Sequence, residues 1–255
     1  MASISTREVL ESASNEDLQP LVEYILKAST TEMLSTKDVY KRHQPDHKRY
    51  TDDILEEIRL FGGNSFANLF RNNGPQYLEV VQDVAKKFGV KKVESYGLVE
   101  LEEELIQTIL RDALKKSSGQ ERADMEAILA EAGVGKKDLS ALLSGSSLLT
   151  LLGARMAGVV TYQVSVIVAN AIAKQALGHG IKLAAAGAAG AAVGRGVAVF
   201  LGPVGWVLTG VWTAVDLAGP AFRVTVPCVL HIAMLRQRLI SRRVNALMEE
   251  AFDDA

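Results

Sequence analysis

Cysteine is nearly absent: Cys228 is the single one in 255 residues. No disulfide can form within the chain, and a zinc site built on several thiolates is excluded. A reducing compartment fits. Proline occurs only six times, and the period-two alternation that builds half-buried strands is rare, which leaves little support for a sheet. The opening MASISTREVLESASNEDL has neither the basic lead nor the apolar core of a secretory signal, so the expected location is cytoplasmic. Charge is scarce in one portion. Residues 141–235 carry only Arg155, Lys174, Lys182, Arg195, Asp216 and Arg223, too few for an ordinary solvated surface.

The familiar catalytic signatures are missing too. Gly194-Arg195-Gly196 lies in a glycine-rich stretch, but GxxxxGK[ST] is absent and no strand pattern precedes it, so no phosphate loop is expected. No G-x-S-x-G elbow occurs. His43 and His47 have the i, i+4 spacing of helical metal ligands, but Pro45 between them breaks the helix that would align them. Cys228 and His231 sit three apart on an apolar helix. A buried structural thiol is the expectation there, because reactive thiols occupy accessible, electropositive places. Lys86, Lys87, Lys91 and Lys92 have Asp83 and Glu94 as neighbours and read as a solvated face, so nucleic acid is not an expected partner. No catalytic residue, cofactor or metal is assigned, and the expectation is a non-enzymatic protein.

What remains is helix. Apolar residues recur at three- and four-residue spacings through most of the chain, which predicts an all-α fold. The net charge of −2 hides a polarised layout, with a balance of −6 over residues 1–140 and +4 over 141–255. We therefore divide the chain into a charged helical region, 1–145, and a Gly-rich apolar helical region, 146–255, ending in a basic and acidic helix. The two are expected to pack together. Ser14 with Glu16 and Asp17 predicts a capped helix start, and Pro20 is expected to open the next helix. Gly62-Gly63 closes a helix begun near Tyr50, Asn64 is placed to cap the next, and Gly74-Pro75 starts another. A longer helix is expected over 99–116, with Leu101, Leu105 and Ile109 inward, and a further one over about 120–132.

The apolar region breaks into short rods. Residues 156–173 form one charge-free stretch, interrupted by Thr161, Tyr162, Gln163, Ser165 and Asn170. Residues 183–193 would reach only about 16 Å as a helix. Gly202-Pro203 should restart the helix that follows, leaving a rod over 203–217 of about 22 Å, short of the roughly 30 Å of a bilayer core. Gly219-Pro220 makes a second corner. Gly190-x-x-x-Gly194 permits close helix contact. Asp216 is a costly residue in this setting and needs a partner, with Arg223 and Arg195 the candidates. Arg236, Arg238, Arg242 and Arg243 follow the apolar run and can either meet anionic lipid headgroups or form a solvated face balanced by Glu249, Glu250, Asp253 and Asp254.

Three blocks carry a resemblance: SASNEDLQPLVEYIL, FGGNSFANLFRNNGPQYLEVVQDVAKKF and GPVGWVLTGVWTAVDLAGPAFRVTVP. Standing in that order over about 12–236, they resemble the bacterial YaaW family. Part of that family is similar, more faintly, to the helical chaperones that assist assembly of a membrane respiratory cytochrome. The resemblance implies no catalytic residues, and its members often have tyrosine where Phe222 stands. Two functions follow. In the first, the apolar region docks on or conditionally inserts into the inner face of the membrane as short hairpins. In the second, the same helices are the buried core of a soluble interaction or assembly-chaperone-like protein.

Overall fold

The computed structural model describes residues 4–28, 32–62, 74–131, 133–146, 148–181, 198–205, 207 and 221–253; for 148–159, 248, 249 and 251–253 the description is of backbone alone. Ten α-helices are bounded among the described residues: α1 Thr6–Ser12, α2 Asn15–Leu26, α3 Asp38–His43, α4 Thr51–Gly62, α5 Tyr77–Lys87, α6 Leu98–Lys116, α7 Gly119–Glu131, α8 Lys136–Leu143, α9 Leu148–Leu177 and α10 Phe222–Asp253. Residues 198–205 are also helical. No strand occurs among the described residues, so the chain is all-α.

Local chemistry explains the starts. Ser14 caps α2 in a reciprocal box: its hydroxyl accepts from the Asp17 backbone N–H at 3.2 Å, and Asp17 accepts from the Ser14 N–H at 3.1 Å. Two of the four orphan donors of a helix start are thereby satisfied. α5 begins the same way, with Glu79 accepting from the Gln76 N–H at 3.1 Å. Helix packing in turn dictates one glycine. A Cβ on Gly62 would sit 2.3 Å from Cγ2 of Val80, so α4 and α5 meet only because position 62 carries none.

The centre of the fold is α10. Every residue from 224 to 238 is buried, a pattern that a helix shows only when it is enclosed on all sides. α1, α2, α4, α5, α6 and α9 all pack on it, and α9 makes the most extensive contact. α9 is itself buried continuously from 164 to 173. One hydrophobic cluster joins Val9, Leu21, Ile58, Val81 and Leu105 to Val168, Ile172, Val229 and Met234. The last helix of the apolar region is thus the axis around which the charged region is wound.

Several expectations change. Pro20 lies inside α2 rather than at the head of a new helix. Only one backbone bond is forgone there, and the capped first turn and buried flank keep the helix continuous. The short-rod expectation fails for α9, which runs 30 residues, about 45 Å. α10, for which no length was expected, runs 32 residues with Pro227 inside. Residues 198–205 stay helical through Gly202 and Pro203, so that pair makes no corner; the missing N–H again removes one bond of the ladder without breaking it. Even so, no helix among the described residues is long and apolar enough to cross a membrane. Asn64, Gly190, Gly194, Arg195, Asp216, Gly219 and Pro220 lie outside the described residues, as does the proposed pairing of Asp216 with Arg223.

Candidate functional site

A helix enclosed on every side must satisfy its polar residues internally, since an unpaired buried charge is expensive. α10 carries five of them between 225 and 238: Thr225, His231, Arg236, Gln237 and Arg238. Arg236 is fully buried, and so is its partner Glu102 of α6. Its Nε donates to Oε2 of Glu102 at 2.6 Å and its Nη2 to Oε1 at 3.2 Å. The rest of the guanidinium holds the start of the chain, donating to the Ile4 carbonyl at 2.5 Å and the Thr6 hydroxyl at 2.9 Å. Burial lifts the Glu102 carboxyl above its usual range even with the guanidinium against it. The same burial works against the Arg236 charge, which the carboxylate more than restores.

Two residues on, Arg238 grips Asp17 with both terminal nitrogens, at 2.7 and 2.5 Å. Burial alone would raise the Asp17 carboxyl. The hydrogen bonds and charge of Arg238 outweigh it and hold the group below its usual range. His231 donates from Nε2 to the Asp17 carbonyl at 2.8 Å. A carbonyl only accepts, so the proton is on Nε2; Nδ1 has no hydrogen-bond partner among the described residues. Burial lowers the His231 pKa to about 4, and the ring stays neutral. Gln237 completes the layer, donating to Glu103 at 2.9 Å.

The expected headgroup arginines therefore separate. Arg236 and Arg238 are buried in ion pairs and cannot meet lipid, because each charge is matched by a carboxylate from the amino-terminal helices. Arg243 pairs with Glu8 at the surface, and Arg242 is exposed. Arg223 is exposed at the start of α10. Cys228 is wholly buried and burial pushes its thiol far up, so with a neutral His231 it forms no thiolate–imidazole pair. Lys86 is paired with Glu94 at 2.9 Å, and Lys87 stands 5.3 Å over the Phe222 ring. Among the described residues no group of three or more His, Cys, Asp or Glu could hold a metal ion.

A second feature was not expected from sequence. A cleft of about 660 Å³ opens between α2, the turn at 45–47 and the end of α9, lined by Asn15, Glu16, Gln19, Pro20, Glu23, Pro45, His47, His179 and Gly180. Its inner wall is a chain of hydrogen bonds whose directions can be deduced. Glu23 only accepts, so the Gln19 amide nitrogen, 2.8 Å away, faces it. The Gln19 oxygen then faces His47 Nε2 at 2.6 Å, which places the imidazole proton on Nε2. Nδ1 is left to accept from the Tyr50 hydroxyl at 2.5 Å. Burial lowers the His47 pKa and pushes Tyr50 up to about 12. The other Glu23 oxygen, Oε2, lies 3.0 Å from Nε2 of His179 without an aligned hydrogen bond. His43 takes no part, so the i, i+4 histidine pair does not assemble.

One signal could have found the buried layer. The run from 224 to 235 flows into Arg236 with no charged residue or turn to carry the helix out to solvent, Thr225 and His231 being its polar side chains, so the first arginines share its interior. The cleft left no such trace, since His179 and Glu23 meet across 156 positions.

Among known proteins, the chain is similar to a UPF0174 protein of Helicobacter pylori strain J99, 35% identical over 234 residues that make up 90% of this chain and 89% of the relative. A UPF0174 protein of Helicobacter pylori strain 26695 is 36% identical over 211 residues, 82% of this chain and 98% of the relative. The UPF0174 protein YaaW of Escherichia coli K12 is 29% identical over 222 residues, 86% and 85% of the two. No family model and no solved structure matches the chain.

Proposed function

The chain belongs to the UPF0174 family, and from that premise together with the enclosure of its last helix we propose that it is a non-enzymatic helical interaction protein, of the kind that assists assembly, whose apolar helices serve as its core. One observation carries the reading. The arginines that a membrane-docking helix would present outward, Arg236 and Arg238, are the ones that bind Glu102 and Asp17 inside. Releasing α10 to lipid would strand both carboxylates, and breaking a buried pair costs about 3–5 kcal/mol. On this reading the working surface lies on the charged amino-terminal helices.

Flotation of the full chain with vesicles of phosphatidylglycerol and phosphatidylethanolamine tests it. The expected result is recovery in the lipid-free fraction at neutral pH whatever the anionic content. Co-flotation of the wild type, lost on replacing the exposed Arg242 and Arg243, would establish docking instead.

A further inference from the structure

The geometry points to the cleft on α2 as the seat of an extended segment of a protein partner carrying two basic side chains three residues apart, received by Glu23 and Glu16. This deepens the interaction reading and rests on it. Three features of the cleft select that occupant. Glu23 Oε1 is engaged by Gln19, but Oε2 is buried without an aligned donor, its neighbour being a histidine whose side chain is 58% exposed. Glu16, on the same face of α2, is exposed and makes no ion pair among the described residues. Of the basic residues close by, Lys27 donates to the Ala176 carbonyl, Arg49 pairs with Asp46 at 3.2 Å and Lys48 stands outside the lining, which holds two carboxylates and no lysine or arginine. The cleft is therefore electronegative at its rim and open to a cation.

Spacing sets the length of the occupant. Glu16 and Glu23 are seven residues apart on one helix, about 10 Å along its axis, close to one turn of polyproline II chain, three residues at about 3.1 Å each, which brings both basic side chains to the same face. Between them Pro20, buried, lines the cleft together with Pro45 and gives an apolar floor on which the stems of long basic side chains can lie. His179 is the displaceable element. It stands on a Gly178-His179-Gly180 turn in which Gly178 has φ +87°, a conformation suited to glycine. The turn is anchored beyond it, where the Ile181 N–H donates to Asn170 Oδ1 at 2.9 Å. The imidazole thus occupies the acceptor that a guanidinium would use, and it leaves when one arrives.

The probe is the capped peptide acetyl-Arg-Ala-Ala-Arg-amide, added to the full chain in lipid-free solution, so the readout does not depend on the flotation result. Imidazole 1H–15N spectra report His47 and His179 at the cleft against His43 and the buried His231. Saturable shifts are expected at His179 and His47 alone. Binding should weaken about tenfold in Glu23→Gln, the scale of one hydrogen bond to a charged group, and weaken also in the exposed Glu16→Gln. His179→Ala should bind more tightly, because it removes the competitor. The proposal is overturned if no shift saturates, if the peptide with citrulline at both arginine positions shifts the spectra equally, or if His179→Ala binds more weakly than wild type.

Discussion

Replacing Arg236 with methionine isolates the energetics on which the fold turns. The guanidinium is fully buried and makes four hydrogen bonds, two to Glu102 and one each to the Ile4 carbonyl and the Thr6 hydroxyl. Methionine fills much of the volume but leaves a carboxylate enclosed without its counter-charge, a loss of about 3–5 kcal/mol. At this chain length each kcal/mol shifts Tm by about 2–4 °C, so a drop on the order of 10 °C is expected. Glu102→Leu should lose a similar amount by stranding the arginine. The pair Arg236→Met with Glu102→Leu removes both charges and leaves only the Ile4 carbonyl and Thr6 hydroxyl without donors, about 1–3 kcal/mol each at most. The double variant should then be more stable than either single one. Urea unfolding followed by far-UV circular dichroism measures all four chains, with an unchanged m-value confirming that stability alone has moved. A loss below about 1 kcal/mol in either single variant, or a double loss equal to the sum of the two, would refute the reasoning.

Three further outcomes follow from the same interior. The His231 pKa falls from 6.5 to about 4 on folding, so the unfolded chain takes up the proton first and stability is lost as pH drops from 6.5 towards 4, by roughly 3 kcal/mol at 1.36 per unit; His231→Gln should flatten that part of the profile. Cys228 should resist thiol reagents in the native state and react at a rate that follows global opening, measured by adding urea below the transition; fast labelling in water would contradict its burial. Glu57 is buried with one oxygen receiving the Met33 N–H at 2.6 Å and the other without a partner, and burial raises its pKa. Its native form holds the proton longer than the unfolded form, so its contribution is present below the unfolded value of 4.5 and is lost as pH rises; Glu57→Gln should therefore gain stability over wild type above that pH and little below it.

The fold class was legible because periodicity is a local property: α6 was expected over 99–116 and is found over Leu98–Lys116, and the Ser14 cap was readable from three residues. Element lengths were less legible. Pro20 and Pro203 read as starts, yet both lie inside helices, where each removes one backbone bond of the ladder. The site was hardly legible at all. Arg236 meets Glu102 across 134 positions and Arg238 meets Asp17 across 221, and beyond the uncharged run that leads into Arg236 nothing local to the sequence names the buried carboxylate that an arginine will meet. Composition left two destinations open for the basic cluster, lipid headgroups or a solvated face, and Arg236 and Arg238 lie in buried ion pairs instead.

The polar residues of α10 do more than balance charge. Apolar packing by itself tolerates sliding and rotation of one helix against others, whereas each polar group here accepts a single neighbour: His231 and Arg238 take α2, Arg236 takes α6 and the residues leading into α1. Moving α10 by one turn, about 5.4 Å, would break both buried ion pairs at once, each worth about 3–5 kcal/mol when broken. A switch that lipid could throw needs two states within a few kcal/mol of one another. Withdrawing α10 into a bilayer strands Asp17 and Glu102 together, on the order of 6–10 kcal/mol before any apolar contact is counted. The residues that fix the register of the fold are thereby the ones that hold its most enclosed helix in place.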